Sequence, residues 1–290
     1  MGLFSRLKTG FVLSVASLRV LRSHPKLAVY PLMSGVASIV FVLAVLGPVW
    51  FAGGSSPGIV ELAALFVVYV GTSYIAALFN AGLVYDVGQI FRGNEPNLGA
   101  GLRAASNRSS ALLVWAFASA VVGILIRALE SRGELGAQLA AAIFSVGWAM
   151  ATFFVVPVIV FEDDSGTSMF TESASIFKET WGETAGAKVG LGIVPALIAV
   201  AGLVLAIGVV VVFPTGASVV TGLLIAVAAV VLGVLVSGVI TGVTKTALYV
   251  YATENVQPEA FRRFDFESLF DESSGSTSGP GGLTGQRGRI

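Results

Sequence analysis

Three consecutive acids, Glu162, Asp163 and Asp164, form the clearest metal-ligand pattern in the sequence. Carboxylate oxygens are the ligands that Mg²⁺ and Ca²⁺ prefer in proteins. Adjacent acids on one turn, however, seldom converge on a single ion without further ligands. They also precede a helical pattern, where carboxylates accept hydrogen bonds from free backbone N–H groups and complement the helix dipole. We therefore interpret the three acids as a helix cap and predict no metal and no other cofactor.

Polar side chains inside apolar segments are the second group of candidates. Asn80 lies in ALFNAGLVYD, and an amide in such a segment seeks a hydrogen-bond partner on a neighbouring helix. Asp86 lies on an adjoining face of the same segment. The two residues therefore either join helices or line a cytoplasmic vestibule.

A polar series follows one side of the last apolar segment and ends at Lys245; it comprises Ser237, Thr241, Thr244 and Lys245. Gly238 and Gly242 form a G-x-x-x-G pattern beside it, which favours close helix packing. In this interpretation the hydroxyls bond to backbone carbonyls and Lys245 extends to the membrane surface. The alternative is a polar pathway with its cytoplasmic mouth at two acids. Its six candidate residues are Asn80, Asp86, Thr152, Glu162, Thr241 and Lys245, of which Asp86 and Glu162 form the mouth.

The chain lacks the residues that most catalytic mechanisms require. There is no cysteine and only one histidine, His24, which excludes thiolate catalysis and histidine-rich metal sites. The sequence contains no phosphate-binding P-loop, no nucleophile-elbow motif and no H-E-x-x-H pair. It also contains no basic domain that could bind nucleic acid. We predict a protein that is not an enzyme and has no nucleic-acid partner.

The composition is that of an integral membrane protein. Of 290 residues, 55% are hydrophobic and 12% are charged, and the mean hydropathy is +0.88. A soluble domain has about 25% charged residues, so this chain has too few charges to cover a surface in water. Because a span needs about 20 apolar residues, we predict an all-α integral membrane protein with six transmembrane helices arranged as three hairpins. The predicted spans are 27–51, 59–85, 110–126, 135–161, 189–213 and 217–251.

The distribution of Lys and Arg predicts the orientation, because basic residues concentrate in cytoplasmic loops. Of 17 such residues, only Arg127 and Arg132 lie on the side opposite the two termini. We therefore expect a multi-pass plasma-membrane protein with both termini in the cytoplasm. Basic residues near the cytoplasmic ends of the spans are candidate contacts for anionic lipid headgroups. They are Arg19, Arg22, Lys26, Arg103, Arg108 and Lys188.

An amphipathic segment precedes each predicted hairpin, and we expect all three to lie as helices in the cytoplasmic interface. Their apolar stripes are Leu7, Phe11, Val15 and Leu18 in residues 1–26, Leu98, Leu102 and Ala105 near 97–109, and Phe170, Ala174, Phe177 and Trp181 near 167–183. This recurring order favours three degenerate repeats, although any three hairpins of similar size would share it. Pro157 is expected to kink the fourth span. Residues 27–252 form the predicted membrane domain, 253–272 a cytoplasmic amphipathic segment, and 273–290 a disordered tail rich in Gly and Ser.

Four motifs, in this order and spacing, resemble a known family. They are FNAGLV followed by RGNEPNLGAGLRAA, LIRALESRG, ATFFVVPVIVFEDD followed by SASIFKETWGE, and ALYVYATENVQPEAF. Together they resemble an archaeal and bacterial family of membrane proteins called domain of unknown function 6159, over residues 5 to 265. Related sequences carry glycine where this chain has Asn255. The resemblance implies six spans and the same cytoplasmic helices, and it implies no activity and no site residue.

Two functions follow from these observations. The lack of a catalytic set and of a charged core favours a non-enzymatic membrane scaffold or accessory protein, which would engage lipids, a protein partner or a second copy of the chain through its cytoplasmic helices. The alternative is a small-solute permease or channel, acting alone or as an oligomer. A cytoplasm-open cavity lined by the six polar residues would favour the permease. A solid core, with Asn80 bonded to a neighbouring helix, would favour the scaffold.

Overall fold

The structure is a computed structural model that describes residues 3–52, 58–162, 166–181, 193–212 and 216–262. Within these ranges the chain forms helices and turns and contains no β-strand, which confirms the all-helical fold class for this part. The α-helices in chain order are α1 (Leu3–Ser23), α2 (Val29–Ala52), α3 (Ile59–Phe91), α4 (Leu98–Asn107), α5 (Ser109–Glu130), α6 (Leu135–Ala151), α7 (Val155–Phe161), α8 (Ser168–Trp181), α9 (Ile193–Val212) and α10 (Gly216–Glu254). Short 3-10 helices at Pro25–Ala28 and Glu259–Phe261 precede α2 and follow α10.

Five helical segments of the described chain are long and apolar enough to cross a membrane. They are Pro25–Phe51, Ile59–Phe91, Ser109–Glu130, Leu135–Phe161 and Ala217–Glu254. Their lengths and compositions are those of a multi-pass membrane protein. The remaining predicted span, 189–213, corresponds to α9, and its first residues lie outside the described ranges. A sixth crossing therefore stays a prediction.

The helices pack most closely at one end of the bundle, which we call the charged end. An ion pair marks it, between Arg92, which follows α3, and Glu254, the last residue of α10, with 3.1 Å from Nη2 to Oε1. The buried residues of α3 lie mostly between 77 and 88, and those of α10 mostly between 239 and 250. The outer halves of both helices expose large apolar side chains such as Leu62 and Leu232. Such exposure fits helices that lipid covers beyond a protein core at the charged end.

Helix α1 packs against α10 through a face that the sequence pattern did not identify. Its buried residues include Leu13, Ala16, Ser17 and Val20. The Oγ of Ser17 lies 2.8 Å from the Oγ1 of Thr244 on α10. Phe11 and Leu18, from the predicted stripe, are exposed. The stripe was assigned to the membrane interface, which stays a prediction. The side that faces α10 includes small and hydroxyl residues, which allow the closest approach of two helices and carry little hydrophobic signal.

The other two amphipathic segments also form helices that pack on protein. In α4, Ala105 is buried and Leu98 and Leu102 lie against the core, as their spacing predicts. In α8, which packs on α6 and α7, the buried residues are Met169, Ser173, Ile176 and Phe177. This face is turned by about one residue from the predicted one, because Ser173 takes the central place that we assigned to Ala174. The side chain of Trp181 lies outside the described part of the structure.

The predicted kink in the fourth span is a break between α6 and α7. Pro157 has no N–H to donate to the carbonyl of Phe153, so the helical ladder cannot run through this point. The chain makes a turn at 152–154 before α7 begins. The N–H of Phe154 donates instead to Ser173 Oγ, at 3.0 Å, on α8. The break thereby ties the end of the span to the helix that follows it.

Candidate solute site

A cavity of about 500 Å³ lies between α2, α3, α5, α10 and the break after α6. This volume is in the range of pockets that hold small molecules, roughly 300–1,000 Å³. Four of the six residues predicted for a polar pathway line it together: Asn80, Thr152, Thr241 and Lys245. They come from α3, from α10 and from the break after α6, and the folding of the bundle brings them to one place. We call this cavity the central pocket.

The central pocket lies inside the bundle and away from the charged end. Lys245 precedes Glu254 by nine residues, and Ser73 precedes Arg92 by 19, and both line the pocket. At about 1.5 Å per helical residue, the pocket extends from about 14 to about 29 Å from the charged end. Buried side chains, including Val84 and Val87, lie between the pocket and that end. The tightly packed core thus closes the pocket on the charged side.

The polar groups of the pocket are largely unengaged by the protein. Among the described residues, the amide of Asn80 and the hydroxyl of Thr241 make no hydrogen bond. The buried Oγ of Ser119 also has no partner. Thr152 is engaged, because its Oγ1 donates to the carbonyl of Trp148 at 2.7 Å. Asn80 therefore does not act as an interhelical bond, and polar groups remain free to meet a guest molecule.

Lys245 lies with its Nζ 4.8 Å from the centre of the Phe153 ring and lines the pocket. Its position relative to the membrane surface stays a prediction. The pocket offers the ammonium group polar neighbours and an aromatic face at closer range than the charged end. Thr244, which belongs to the same predicted polar series, contacts Ser17 of α1 and does not line the pocket.

Asp86 does not line the central pocket, contrary to the predicted mouth. Its side chain is fully buried and accepts two hydrogen bonds. The Oη of Tyr30 donates to Oδ2 at 2.8 Å, and the backbone N–H of Asn97 donates to Oδ1 at 3.2 Å. Asp86 therefore joins α3 to the start of α2 and to the N-terminal cap of α4. Tyr30 is the link to the site, because its ring forms part of the pocket wall.

Glu162 also lies away from the pocket. Its Oε1 accepts a hydrogen bond from the Oη of Tyr249 on α10 at 2.5 Å. The ring of Tyr249 stacks on Phe161, with centroids 5.4 Å apart, and Phe161 lies against Gly88 of α3. Glu162 thus holds α7 to α10. Asp163 and Asp164, the other two acids of the pattern, are outside the described part of the chain, and the described residues contain no group of three metal-ligating side chains.

The basic residues predicted to contact lipid headgroups are distributed over the surface of the described chain. Arg19, Arg22, Lys26 and Arg103 are exposed, and Arg108 is half-buried. Lys188 falls outside the described residues. Arg92, which was not among these candidates, pairs with Glu254 and also lies over the Phe161 ring, 5.4 Å from its centre.

Several pocket residues were not identified from the sequence. They are Tyr30, Ser34, Ser73, Trp115 and Ser119. Single serines are common in apolar helices, where they bond to their own backbone, so their identity alone does not separate a wall of a pocket from a lipid-facing surface. Only the packing of α2, α3 and α5 around α10 shows which serines face inward.

The fold and the pocket define an all-helical protein of the multi-pass membrane class with a polar cavity between its helices. A family described as "Family of unknown function (DUF6159)" matches residues 59–258, which is more than half of the chain. The protein therefore belongs to the DUF6159 family. The matched region contains α3 to α10 and so most walls of the central pocket, while α1 and α2 precede it. Neither a curated protein nor a solved structure matches the chain.

Proposed function

We propose that this protein binds a small solute in the central pocket and acts as a permease for it. The observation that carries the proposal is the cavity itself, in which Asn80, Thr241 and Lys245 from two helices present polar groups that the protein does not use. A solid core with Asn80 bonded to a neighbouring helix would have favoured a scaffold. The cavity meets the expectation for a permease in part, because four of the six predicted residues line it and the packed core lies between it and the charged end. We rank the permease first because of the unused polar groups.

The closure of the pocket supports alternating access rather than an open channel. The buried core separates the pocket from the charged end, and a polar site near the middle of a helical bundle, closed on one side, is typical of transporters. The charge distribution predicts that the charged end is cytoplasmic. In that orientation the proposal is a permease whose site is closed toward the cytoplasm in this structure.

Solute flux into proteoliposomes tests the proposal, with a variant that fills the pocket. Thr241→Phe places an aromatic ring in the cavity, and Val234→Phe places the same ring on an exposed position of the same helix. Because Val and Thr have nearly the same shape, the second variant is a matched control. We expect the native protein to carry one or more members of a panel of neutral, anionic and cationic solutes, and we expect Thr241→Phe alone to abolish that flux.

Two outcomes would contradict this proposal. Flux no greater than that of protein-free liposomes across the whole panel would exclude a permease for those solutes. Equal flux through Thr241→Phe and Val234→Phe would exclude the central pocket as the route. The thermal unfolding midpoints of both variants must match that of the native protein, so that loss of flux is not loss of fold.

A membrane scaffold or accessory role is the second candidate, and the surface of α1 favours it. Phe11 and Leu18 are exposed there, and Arg19 and Arg22 lie exposed near them. Apolar and basic residues together suit a helix that touches anionic lipid, at about 1 kcal/mol for each basic residue. We expect Arg19→Gln with Arg22→Gln to reduce the number of phosphatidylglycerol molecules retained in native mass spectra. Arg127→Gln with Arg132→Gln is the control, and equal retention by both pairs would contradict this role.

A further inference from the structure

Within the described part of the chain, the ammonium group of Lys245 has no anionic partner. Among the described residues, no carboxylate lies within ion-pair distance of its Nζ. Its nearest recorded partner is the ring of Phe153, with 4.8 Å from Nζ to the centroid. An aromatic face compensates a buried cation only in part, because its attraction is weaker than that of a carboxylate. The charge is therefore left for something else to neutralise.

The two acids that the sequence analysis placed at the mouth of a polar pathway are engaged elsewhere. Asp86 accepts from Tyr30 and from the backbone of Asn97, and Glu162 accepts from Tyr249. Neither acid lines the central pocket. An unpaired charge in an apolar setting is costly. The pocket is therefore unusual, because it contains a cation while Asp86 and Glu162 lie outside it. The arrangement leaves a place for an anion that comes from outside the chain.

The other polar groups of the pocket suit the same guest. The amide of Asn80 and the hydroxyls of Ser119 and Thr241 can each donate a hydrogen bond, and none of them has a partner among the described residues. Charge-assisted hydrogen bonds of this kind to a carboxylate are short and strong. The remaining wall is mainly apolar and includes Trp115 and Phe79, and it also carries the hydroxyl groups of Ser34, Ser73 and Ser237. One end of the guest is thus expected to be anionic and the rest apolar.

We propose that the central pocket binds a small monocarboxylate with a compact apolar body, whose carboxylate pairs with Lys245. A single cation in the pocket fits a single negative charge. A cavity of about 500 Å³ has room for an apolar body of one or more rings or a chain of similar volume. The pocket begins about 14 Å from the charged end. This inference rests on the proposed function, because it names the substrate class of the same site.

Fluorescence of Trp115 provides the binding test. A variant that keeps Trp115 and carries Phe at 50, 148 and 181 is placed in phosphatidylcholine nanodiscs and titrated with 4-iodobenzoate, whose iodine quenches a nearby indole. The neutral 4-iodobenzamide, of nearly the same shape, is the matched ligand control. We expect saturable quenching by the carboxylate and binding of the amide that is weaker by about tenfold or more. This comparison needs no change at Lys245, so it holds even if a variant misfolds.

Substitutions at Lys245 then test whether this residue provides the positive charge that pairs with the carboxylate of the ligand. We expect Lys245→Gln to weaken iodobenzoate binding by about tenfold or more, and Lys245→Arg to keep most of it. Arg103→Gln, at an exposed position on α4, should leave binding unchanged. Equal affinity for the carboxylate and the amide, equal affinity of Lys245→Gln, or no saturable quenching at all would overturn the proposal. Displacement of the probe in phosphatidylglycerol nanodiscs would assign the anion site to a lipid headgroup and would also overturn it.

The binding and flux experiments fail independently. Saturable carboxylate binding without flux would keep the anion site and remove the permease. Flux of neutral solutes that Lys245→Gln leaves unchanged would keep the permease and remove the carboxylate as its substrate. Carboxylate flux that is lost in Lys245→Gln and kept in Lys245→Arg would support both.

Discussion

Gly101 on α4 allows the buried hydrogen bond between Tyr30 and Asp86 to form. A methyl group at this position would overlap the Oη of Tyr30, lie 2.9 Å from the carbonyl oxygen of Gly82, and lie 3.2 Å from Asp86 Oδ1. The two glycines therefore bring the backbones of α3 and α4 together around the tyrosine. Because Tyr30 also forms part of the pocket wall, this close packing fixes one side of the candidate site.

At this scale we predict that Gly101→Ala destabilises the protein and Gly99→Ala does not. The first substitution forces backbone or side-chain shifts in a packed core, at a cost of about 1–3 kcal/mol. A methyl group on Gly99 would have only Asn97 Oδ1 within 4 Å, at 3.4 Å, so this variant is a matched control on the same helix. Thermal unfolding in nanodiscs measures both. Equal midpoints for the two variants would contradict the packing described for α4.

Some residue roles follow from the sequence and others do not. Asn255 follows the end of α10, and its backbone φ of 52° lies in the left-handed region that glycine and asparagine tolerate best after a helix end. The role of Asn255 as the residue that ends α10 can therefore be inferred from its type and position in the sequence. The role of Lys245 cannot be inferred in this way, since a lysine near a helix end suits both a surface position and a buried one. Its nearness to Phe153 depends on the break after α6, which no local pattern around Lys245 reports.

The break between α6 and α7 determines how α8 is placed. Pro157 prevents a continuous helix, and the N–H of Phe154 that the break leaves unpaired finds Ser173 on α8. Phe154 also packs against Phe177 of α8, with ring centroids 6.4 Å apart. A polar contact and an aromatic contact thus fix the same helix on the span before it.

We predict that Ser173→Ala lowers stability and that Thr171→Ala does not. The first substitution leaves the buried N–H of Phe154 without an acceptor, which costs about 1–3 kcal/mol. The hydroxyl of Thr171 is exposed and bonds to the carbonyl of Ser168 in its own helix, so its removal should change stability by about 0.5 kcal/mol or less. The thermal unfolding midpoints of the two alanine variants test this prediction. A smaller loss of stability for Ser173→Ala than for Thr171→Ala would contradict the role of Ser173 in joining α8 to the preceding span.

The positions of the helices were easier to predict from the sequence than the side of each helix that packs on protein. Long apolar runs require a helix in a membrane, so the segments near 27–51, 59–85, 110–126, 135–161 and 217–251 are all helical in the structure. The face that each helix presents to protein was harder to predict, because lipid and protein cores are both apolar and the hydrophobic pattern does not distinguish them. The exposed Phe11 and the buried Ser17 on α1 show the consequence.

For the whole molecule, the basic residues predict a single orientation in the membrane. The described positions Ser106 and Thr253 lie on the side with most Lys and Arg, and Ser131 lies between α5 and α6 beside Arg132. The chain has no cysteine, so single-cysteine variants at these exposed positions can be labelled without background. We expect an impermeant maleimide to label Ser131→Cys in intact cells, and to label Ser106→Cys and Thr253→Cys only after permeabilisation. The reverse pattern would contradict cytoplasmic termini.

The measurement that tests the account most directly is the reactivity of a cysteine inside the central pocket. Thr241→Cys places a thiol on the pocket wall, and Val234→Cys places one on an exposed apolar position two turns away on the same helix. A small water-soluble methanethiosulfonate is applied to permeabilised membranes, so that both sides are reached. We predict that it modifies Thr241→Cys at least about tenfold faster than Val234→Cys, because reaction requires water and thiolate that lipid excludes. Equal rates, or faster reaction at Val234→Cys, would contradict a solute-accessible pocket between the helices.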